Sequence, residues 1–254
     1  MSAVVTQVPK SRSVTRTFLG KDLRGIYREP LLIGVLIAPV LWTLMVRLPL
    51  PAATALLRER YGIDLVPYHS LILTGFLVLT APIVTGGLAG LMVLDERDEG
   101  TLQALRVSPV PLLAYVRYRA SIAVVLTICY TVATTAGTGL LPARAVLGTV
   151  FVGILGGLSA LVVALLLLAF AGNKVEGIAV IRALGVLIAG IPLVPFFLDA
   201  GWQWFFGLLP TYWPAKMFWV VYEGGTWWPY FAIGVAYHTA LAWLLYRYFQ
   251  RSTA

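Results

Sequence analysis

Six long apolar runs constrain this chain more than any other feature: residues 31–46, 71–94, 120–137, 145–171, 178–198 and 230–246. Crossing the hydrocarbon core of a bilayer takes roughly 20 predominantly apolar residues, and a helix satisfies every backbone hydrogen bond within its own segment. The period-2 alternation of a membrane β-barrel is missing from these runs. The sequence therefore predicts an all-α integral membrane protein with six transmembrane helices. Composition agrees, since 59% of residues are hydrophobic, only 12% are charged and the mean hydropathy is +0.86. Lipid, not water, is the solvent for most of such a chain.

Charge then orients the bundle. With both termini in the cytoplasm, the outer segments hold only Arg47, Arg58, Arg60, Arg144 and Lys216, and the other fourteen of the 19 Lys and Arg residues lie inside. That bias predicts cytoplasmic termini. The net charge of +8 is thus spread around helix ends and reads as topology; a nucleic-acid partner, which would need a basic patch, is excluded. Residues 1–29 read as a cytoplasmic tail ending in an amphipathic interfacial helix. Leu19, Leu23, Ile26 and Tyr27 recur at helical spacing, with Lys21, Asp22, Arg24 and Arg28 between them. No small-residue cleavage site follows the first run, which reads as a permanent span. Residues 30–254 are expected to form a six-helix transmembrane domain.

Between the fifth and sixth runs, residues 199–229 hold six of the eight tryptophans: Trp202, Trp204, Trp213, Trp219, Trp227 and Trp228. Tryptophan favours the headgroup region, so a short re-entrant helix in the outer leaflet is expected here. Pro192 and Pro195 predict a kink or early unwinding of the fifth helix. Gly86 with Gly90, and Gly153 with Gly157, have the spacing that lets helix backbones approach within a bundle. The single cysteine, Cys129, excludes a disulfide framework and is expected as a small core residue. His69 reads as an interfacial residue, and no metal site is predicted.

The densest charge cluster follows the second run without a polar spacer. It opens the segment 95–111: Asp95, Glu96, Arg97, Asp98 and Glu99, then Gly100, Thr101, Leu102 and Leu105. Gly100 can take the left-handed conformation that ends a helix, and Thr101 can cap the next one. Leu102 and Leu105 share a face, and Pro109 with Pro111 bars continuation. The expected product is a short helix set across the end of the second span, to which any applied force would pass.

The run Glu96-Arg97-Asp98-Glu99-Gly100-Thr101-Leu102, continuing to Leu105 and Val107-Ser108-Pro109, resembles the cytoplasmic signature of the type 2 ATP-binding-cassette permeases. Arg28-Glu29-Pro30 ahead of the first span and Leu209-Pro210-Thr211-Tyr212 in the outer segment agree with that family in order and position. The resemblance implies an exporter in the bacterial inner membrane. Two permeases, as a homodimer or a heterodimer, would bind two copies of an ATPase subunit. The short helix would be the coupling helix, with Asp95, Glu96, Arg97, Glu99, Gly100, Thr101, Leu102 and Leu105 as its ATPase-coupling residues. Leu19, Leu23, Ile26, Tyr27 and Arg28 would pack beside it. Asp98 matches a variable family position and is carried over only as part of the acidic cluster. The substrate path, lined in the family by the second and fifth spans, would include Thr74, Thr80, Thr85, Leu187, Ile191 and Phe196. Such a lining suits a lipophilic or amphipathic cargo.

Leu91-Met92-Val93-Leu94-Asp95-Glu96 mimics a nucleotide-binding strand, yet the only Gly-Lys pair, Gly20-Lys21, has no glycine five residues before it. Without a P-loop the chain is expected to bind no cofactor and to have no ATPase site of its own, with ATP and Mg on the partner. Two rival functions remain. An ion-coupled carrier would place a carboxylate deep in a span, where this sequence has none. An intramembrane serine protease would pair Ser159 with His238. Counted from their outer helix ends these residues lie about 14 and about 9 residues deep, which predicts a mismatch of several ångström.

Overall fold

The computed structural model describes residues 30–100, 112–198 and 201–252, and every regular element among them is helical. Helix α1 (Pro30–Arg47) runs into α2 (Pro49–Tyr61), an extension that the apolar pattern does not announce. The second run is the helix α3 (Val66–Asp98), the third is α4 (Leu112–Gly137) and the fourth is α5 (Val146–Phe170). The fifth run is broken into α6 (Lys174–Gly185), a wide turn at Val186–Gly190 and a tight 3-10 turn at Ile191–Phe197. A second 3-10 segment, Gly201–Leu208, leads to α7 (Tyr212–Glu223), and α8 (Trp228–Ser252) is the sixth run.

Four stretches among the described residues are long and apolar enough to cross a membrane: Ile37–Tyr61, Val66–Asp98, Tyr115–Gly137 and Ala143–Phe170. The pair Lys174–Ala183 and Leu187–Phe197, bent by 41°, makes a fifth if it counts as one span. Helix α8 has 25 residues, but its tyrosines, tryptophans, histidine and arginine make it less apolar.

Helix α5 is the centre of the bundle and packs against α3, α4, α7 and α8. Glycines make that possible. A Cβ at Gly86 of α3 would lie 2.4 Å from the Ala160 carbonyl oxygen of α5, and one at Gly90 would lie 2.8 Å from Leu167 Cδ1. From α5 itself, Cβ atoms at Gly153 and Gly157 would press on Ile128 Cα at 3.1 Å and Val124 Cγ1 at 2.8 Å, both in α4. Both glycine pairs therefore serve packing within this chain, where dispersion and not hydrophobic expulsion holds helices together.

Two spans carry breaks with identifiable causes. In α3 the residues Thr74–Val78 form a wide π turn, with Leu79 N–H donating to Thr74 O at 2.9 Å. Pro82 lacks an N–H for the Val78 carbonyl, and the wide turn ends at that residue. The fifth run unwinds at Val186, a full turn before its prolines. Pro192 deprives the Ile188 carbonyl of its partner, and the Thr211 hydroxyl donates to that carbonyl instead. This is how a membrane helix tolerates proline: a neighbouring hydroxyl satisfies the freed backbone group.

The outer segment departs from expectation. Trp202, Trp204 and Trp228 are exposed, as headgroup residues would be, but Trp213 and Trp219 are buried in the largest core cluster. Their indole N–H groups donate to Gly207 O at 3.0 Å and Thr74 Oγ1 at 2.9 Å. The short helix exists as α7, yet most of its side chains, Tyr212 to Ala215 and Met217 to Trp219 among them, face protein. A tryptophan whose N–H finds an acceptor between helices has no reason to stay at the surface.

Candidate functional site

The acidic cluster is where α3 ends. Glu99 N–H donates to Asp95 O at 2.9 Å and Gly100 N–H to Arg97 O at 3.1 Å, with Gly100 at φ +71°. The left-handed glycine stop expected at this position is present. Beyond it, Thr101, Leu102 and Leu105 lie outside the described residues, as do Leu19, Leu23, Ile26, Tyr27 and Arg28 of the proposed interfacial helix.

The carboxylates just before that stop are already engaged. Arg119 of α4 donates through Nη2 to Glu96 Oε1 at 2.8 Å and through Nε to Tyr115 Oη at 3.1 Å, and the Tyr115 hydroxyl donates to Glu96 Oε2. The Arg119 and Glu96 side chains are only 12% and 16% exposed, so the pair is largely withdrawn from water. Removing one partner of such a pair strands the other charge, at a cost of about 3–5 kcal/mol. Lys174, the first residue of α6, donates through Nζ to Asp95 Oδ1 at 2.9 Å and through its backbone N–H to Asp98 Oδ2 at 3.0 Å. Asp98 thus puts a carboxylate from α3 on the positive end of α6. The same helix start is closed by a capping box, with Glu176 N–H donating to Asn173 Oδ1 at 2.9 Å and Gly172 N–H to Glu176 Oε2 at 2.7 Å.

Sequence reasoning placed Asp95, Glu96, Arg97, Glu99 and Gly100 in this elbow but missed Tyr115, Arg119 and Lys174, and it discounted Asp98. A usable signal exists for one of them. Arg119 follows Tyr115 by four residues at the start of an apolar run, the spacing of one helix face. Arg97 and Glu99 are exposed.

The expected path residues divide. Thr74 and Thr85 are buried inside the bundle: Thr74 accepts from Trp219 and donates to Ser70 O at 2.6 Å, and Thr85 shares a 2.6 Å hydrogen bond with Thr127 of α4. Neither hydroxyl faces an opening in the single chain. Thr80 is half-buried, with its hydroxyl 3.4 Å from Gly75 O. Leu187 is exposed, Ile191 is half-buried, and Phe196 packs edge-on against Trp219 with centroids 5.2 Å apart.

The sequence profile of the Rv2686c-like fluoroquinolones export permease family matches residues 22–246, nearly the whole chain and the elbow within it. The chain belongs to this family. It is 50% identical over 233 residues, 92% of each chain, to the fluoroquinolones export permease proteins MT2760 and Rv2686c from two strains of Mycobacterium tuberculosis. No solved structure matches it.

A second polar node lies deep in the permease. Ser159 Oγ of α5 is 2.8 Å from His238 Nε2 of α8, and each is within hydrogen-bond reach of the Pro210 carbonyl, at 3.2 and 2.8 Å. The expected depth mismatch is therefore wrong. Apolar runs do not begin on a common plane: α5 extends further out than α8, so Phe151 lies level with Trp227 and Phe231, at centroid distances of 4.9 and 5.3 Å. The pair nevertheless makes a poor dyad, because Ser159 is 0% and His238 1% exposed, and no peptide reaches them in a closed bundle. The Ser159 hydroxyl also lies 3.0 Å from Leu155 O, and His238 Nδ1 is 2.6 Å from Gly234 O. What the node does is hold the Pro210-Thr211 turn against α5 and α8, while Thr211 holds the break of the fifth run.

Two smaller expectations change. His69 is buried against protein, with Nε2 3.2 Å from Thr54 Oγ1, so it joins α3 to α2. Cys129 is exposed on the outer face of α4 and is no core residue. Helix periodicity turns that position away from α5, where Ile128 and Thr127 make the contact.

Proposed function

We propose that this permease is the membrane-spanning subunit of an ATP-driven exporter of lipophilic or amphipathic drugs, fluoroquinolones among them. In this reading the chain crosses the inner membrane six times with both termini in the cytoplasm. Its power comes from a separate ATPase subunit, present in two copies, which holds the ATP and Mg, while a second permease chain completes the path. The observation that carries the reading is the end-to-end match, half of all aligned residues identical, to relatives named as fluoroquinolones export permeases. With 92% of each chain covered, a common cargo class is the simplest inheritance.

Geometry supports the layout. The end of α1 meets the end of α4, where Arg47 Nη1 donates to Gly137 O at 2.8 Å; the ion pairs of Glu96 and Asp95 gather the end of α3 with the starts of α4 and α6 at the opposite level. Successive helices therefore alternate in direction. Helix α8 lies parallel to α5, with Phe151 beside Trp227, Gly234 against Leu155 and Ser159 bonded to His238. That register supports a sixth crossing back toward the cytoplasm. The missing P-loop supports the division of labour, since no residues are at hand to cradle a nucleotide phosphate.

The test is fluoroquinolone export from a drug-sensitive bacterial host carrying the permease and its ATPase. Drug accumulation is expected to rise on ATP depletion and to stay low when only the proton gradient is collapsed. The opposite pattern would make the permease an ion-coupled carrier.

A further inference from the structure

The elbow at the end of α3 is where the resemblance to transporter permeases would seat a motor. The structure adds something that resemblance does not contain: Asp95, Glu96 and Asp98 are each bonded to a neighbouring helix. Glu96 is held by Arg119 and Tyr115 of α4, and Asp95 and Asp98 together hold the side chain and the backbone N–H of Lys174 at the start of α6. Arg97 and Glu99, the other charges of the cluster, are exposed.

From this geometry we infer that Arg119 and Lys174 are positioning residues of the transport cycle, which lock the inner ends of the third and fifth spans to the second so that a push on the elbow moves three helices as one body. The inference rests on the transport reading above. Three features argue for a lock and not for incidental surface pairing. The Glu96–Arg119 pair is mostly buried, so screening by salt is weak and its geometry is fixed by a second bond to Tyr115. Arg119 also lies 3.6 Å from Met92 Sδ and over the Tyr115 ring, which pins the guanidinium along its length. On the other side the Lys174 and Asp95 side chains are 40% and 32% exposed, and their contact is backed by the Lys174 backbone N–H on Asp98 and by the bonds of Asn173 and Glu176 at the helix start.

The consequence is directional. Helix α6 leads into a run that changes to a π turn at Val186–Gly190 and a 3-10 turn at Ile191–Phe197, so a displacement delivered at Lys174 reaches a segment whose backbone ladder is irregular and has poorer hydrogen-bond geometry than an α-helix. Helix α4 instead packs along α5 and the glycines Gly153 and Gly157, and a displacement delivered at Arg119 is transmitted to the bundle centre. One grip at the elbow therefore addresses both the stiff core and the broken span.

The experiment uses the permease with its ATPase in inverted membrane vesicles, with fluoroquinolone transport and ATP hydrolysis measured on the same preparation. Glu96→Arg and Arg119→Glu are each expected to cut drug transport about tenfold or more while ATP hydrolysis persists, and the double exchange is expected to restore most of it. Lys174→Asp with Asp95→Lys is the matching test on the other side. A tether provides the readout that a purely structural role leaves unmoved. In a Cys129→Ala background, Asp95→Cys and Lys174→Cys are bridged by a bifunctional thiol reagent about as long as the ion pair. If the helices move as one body, transport continues with the bridge in place. Arrest by the bridge overturns the lock, because the ends would then have to separate in each cycle. Full transport by both single charge reversals overturns it as well. Should either reversal fail to insert, Arg119→Lys and the tether still decide the matter. Failure of the unaltered permease to export with ATP would instead remove the transport reading itself and leave the ion pairs as bundle architecture.

Discussion

Replacing Gly86 by alanine isolates the closest helix contact in the permease. The new Cβ would lie 2.4 Å from Ala160 O, 2.9 Å from Ala160 Cα and 3.0 Å from Ala160 C, all backbone atoms of α5. A carbon approaches a carbonyl oxygen comfortably at about 3.3–3.6 Å, so α3 and α5 must part by roughly 1 Å, with no flexible side chain to yield. Overpacking of this kind costs about 1–3 kcal/mol, and a backbone obstacle belongs at the upper end. Alanine returns about 1 kcal/mol through its better helix propensity. The net expectation is a loss of about 2 kcal/mol. Gly34 in α1 is the matched control, since a Cβ there meets nothing within 4 Å and only the propensity gain remains. Gly90→Ala should fall between them, because its obstacle is the terminal Cδ1 of Leu167, at 2.8 Å. Reversible unfolding in mixed micelles with rising sodium dodecyl sulfate orders the three. If Gly86→Ala proves as stable as Gly34→Ala, the close approach of α3 and α5 is not real, and the account of the bundle centre goes with it.

Thr211→Val removes the hydroxyl that donates to the Ile188 carbonyl beside Pro192, and should destabilise the permease by about 1–2 kcal/mol while Thr211→Ser does not; equal stability of the two in the same micelle titration would contradict the bridging role. Replacing Gly100, which holds φ +71°, by valine, or the exposed Glu99 by alanine, should abolish drug export without lowering the amount of permease in the membrane. Normal export by both would separate the elbow from coupling. A fluorophosphonate probe should leave Ser159 unlabelled in intact membranes, since the hydroxyl is fully buried; labelling lost on Ser159→Ala would bring back the hydrolase reading.

What the sequence conveyed well were features set by local chemistry. Apolar runs, the proline breaks at Pro192 and Pro195, the glycine stop at Gly100 and the close-packing glycines each follow from one segment and its solvent. What it conveyed poorly were partners. Asp95 and Asp98 belong to an obvious cluster, but whether they meet water, a motor or Lys174 depends on a helix start 76 residues beyond Asp98. Trp213 and Trp219 carry the same interfacial preference as Trp202 and Trp204; only the acceptors Gly207 O and Thr74 Oγ1, supplied by the fold, draw them inside. Ser159 and His238 were separated by counting from helix ends, a measure that fails when neighbouring helices start at different heights.

The two polar nodes and the broken fifth run form a connected mechanical system. At one end Lys174 is bound to the last turn of α3. At its middle, the run gives the Ile188 carbonyl to Thr211, whose neighbour Pro210 is gripped by Ser159 and His238. Between these two fixed points lie α6 and the wide turn, and beyond the second lies a tight turn with two prolines. A regular helix held at two points could only move as a rod. This run exchanges the α ladder for a π turn at Val186–Gly190, so it can bend there while the α-helical bonds of α6 stay intact. The two polar nodes thus bind the start of the fifth run and its break at Ile188 to the helices on either side.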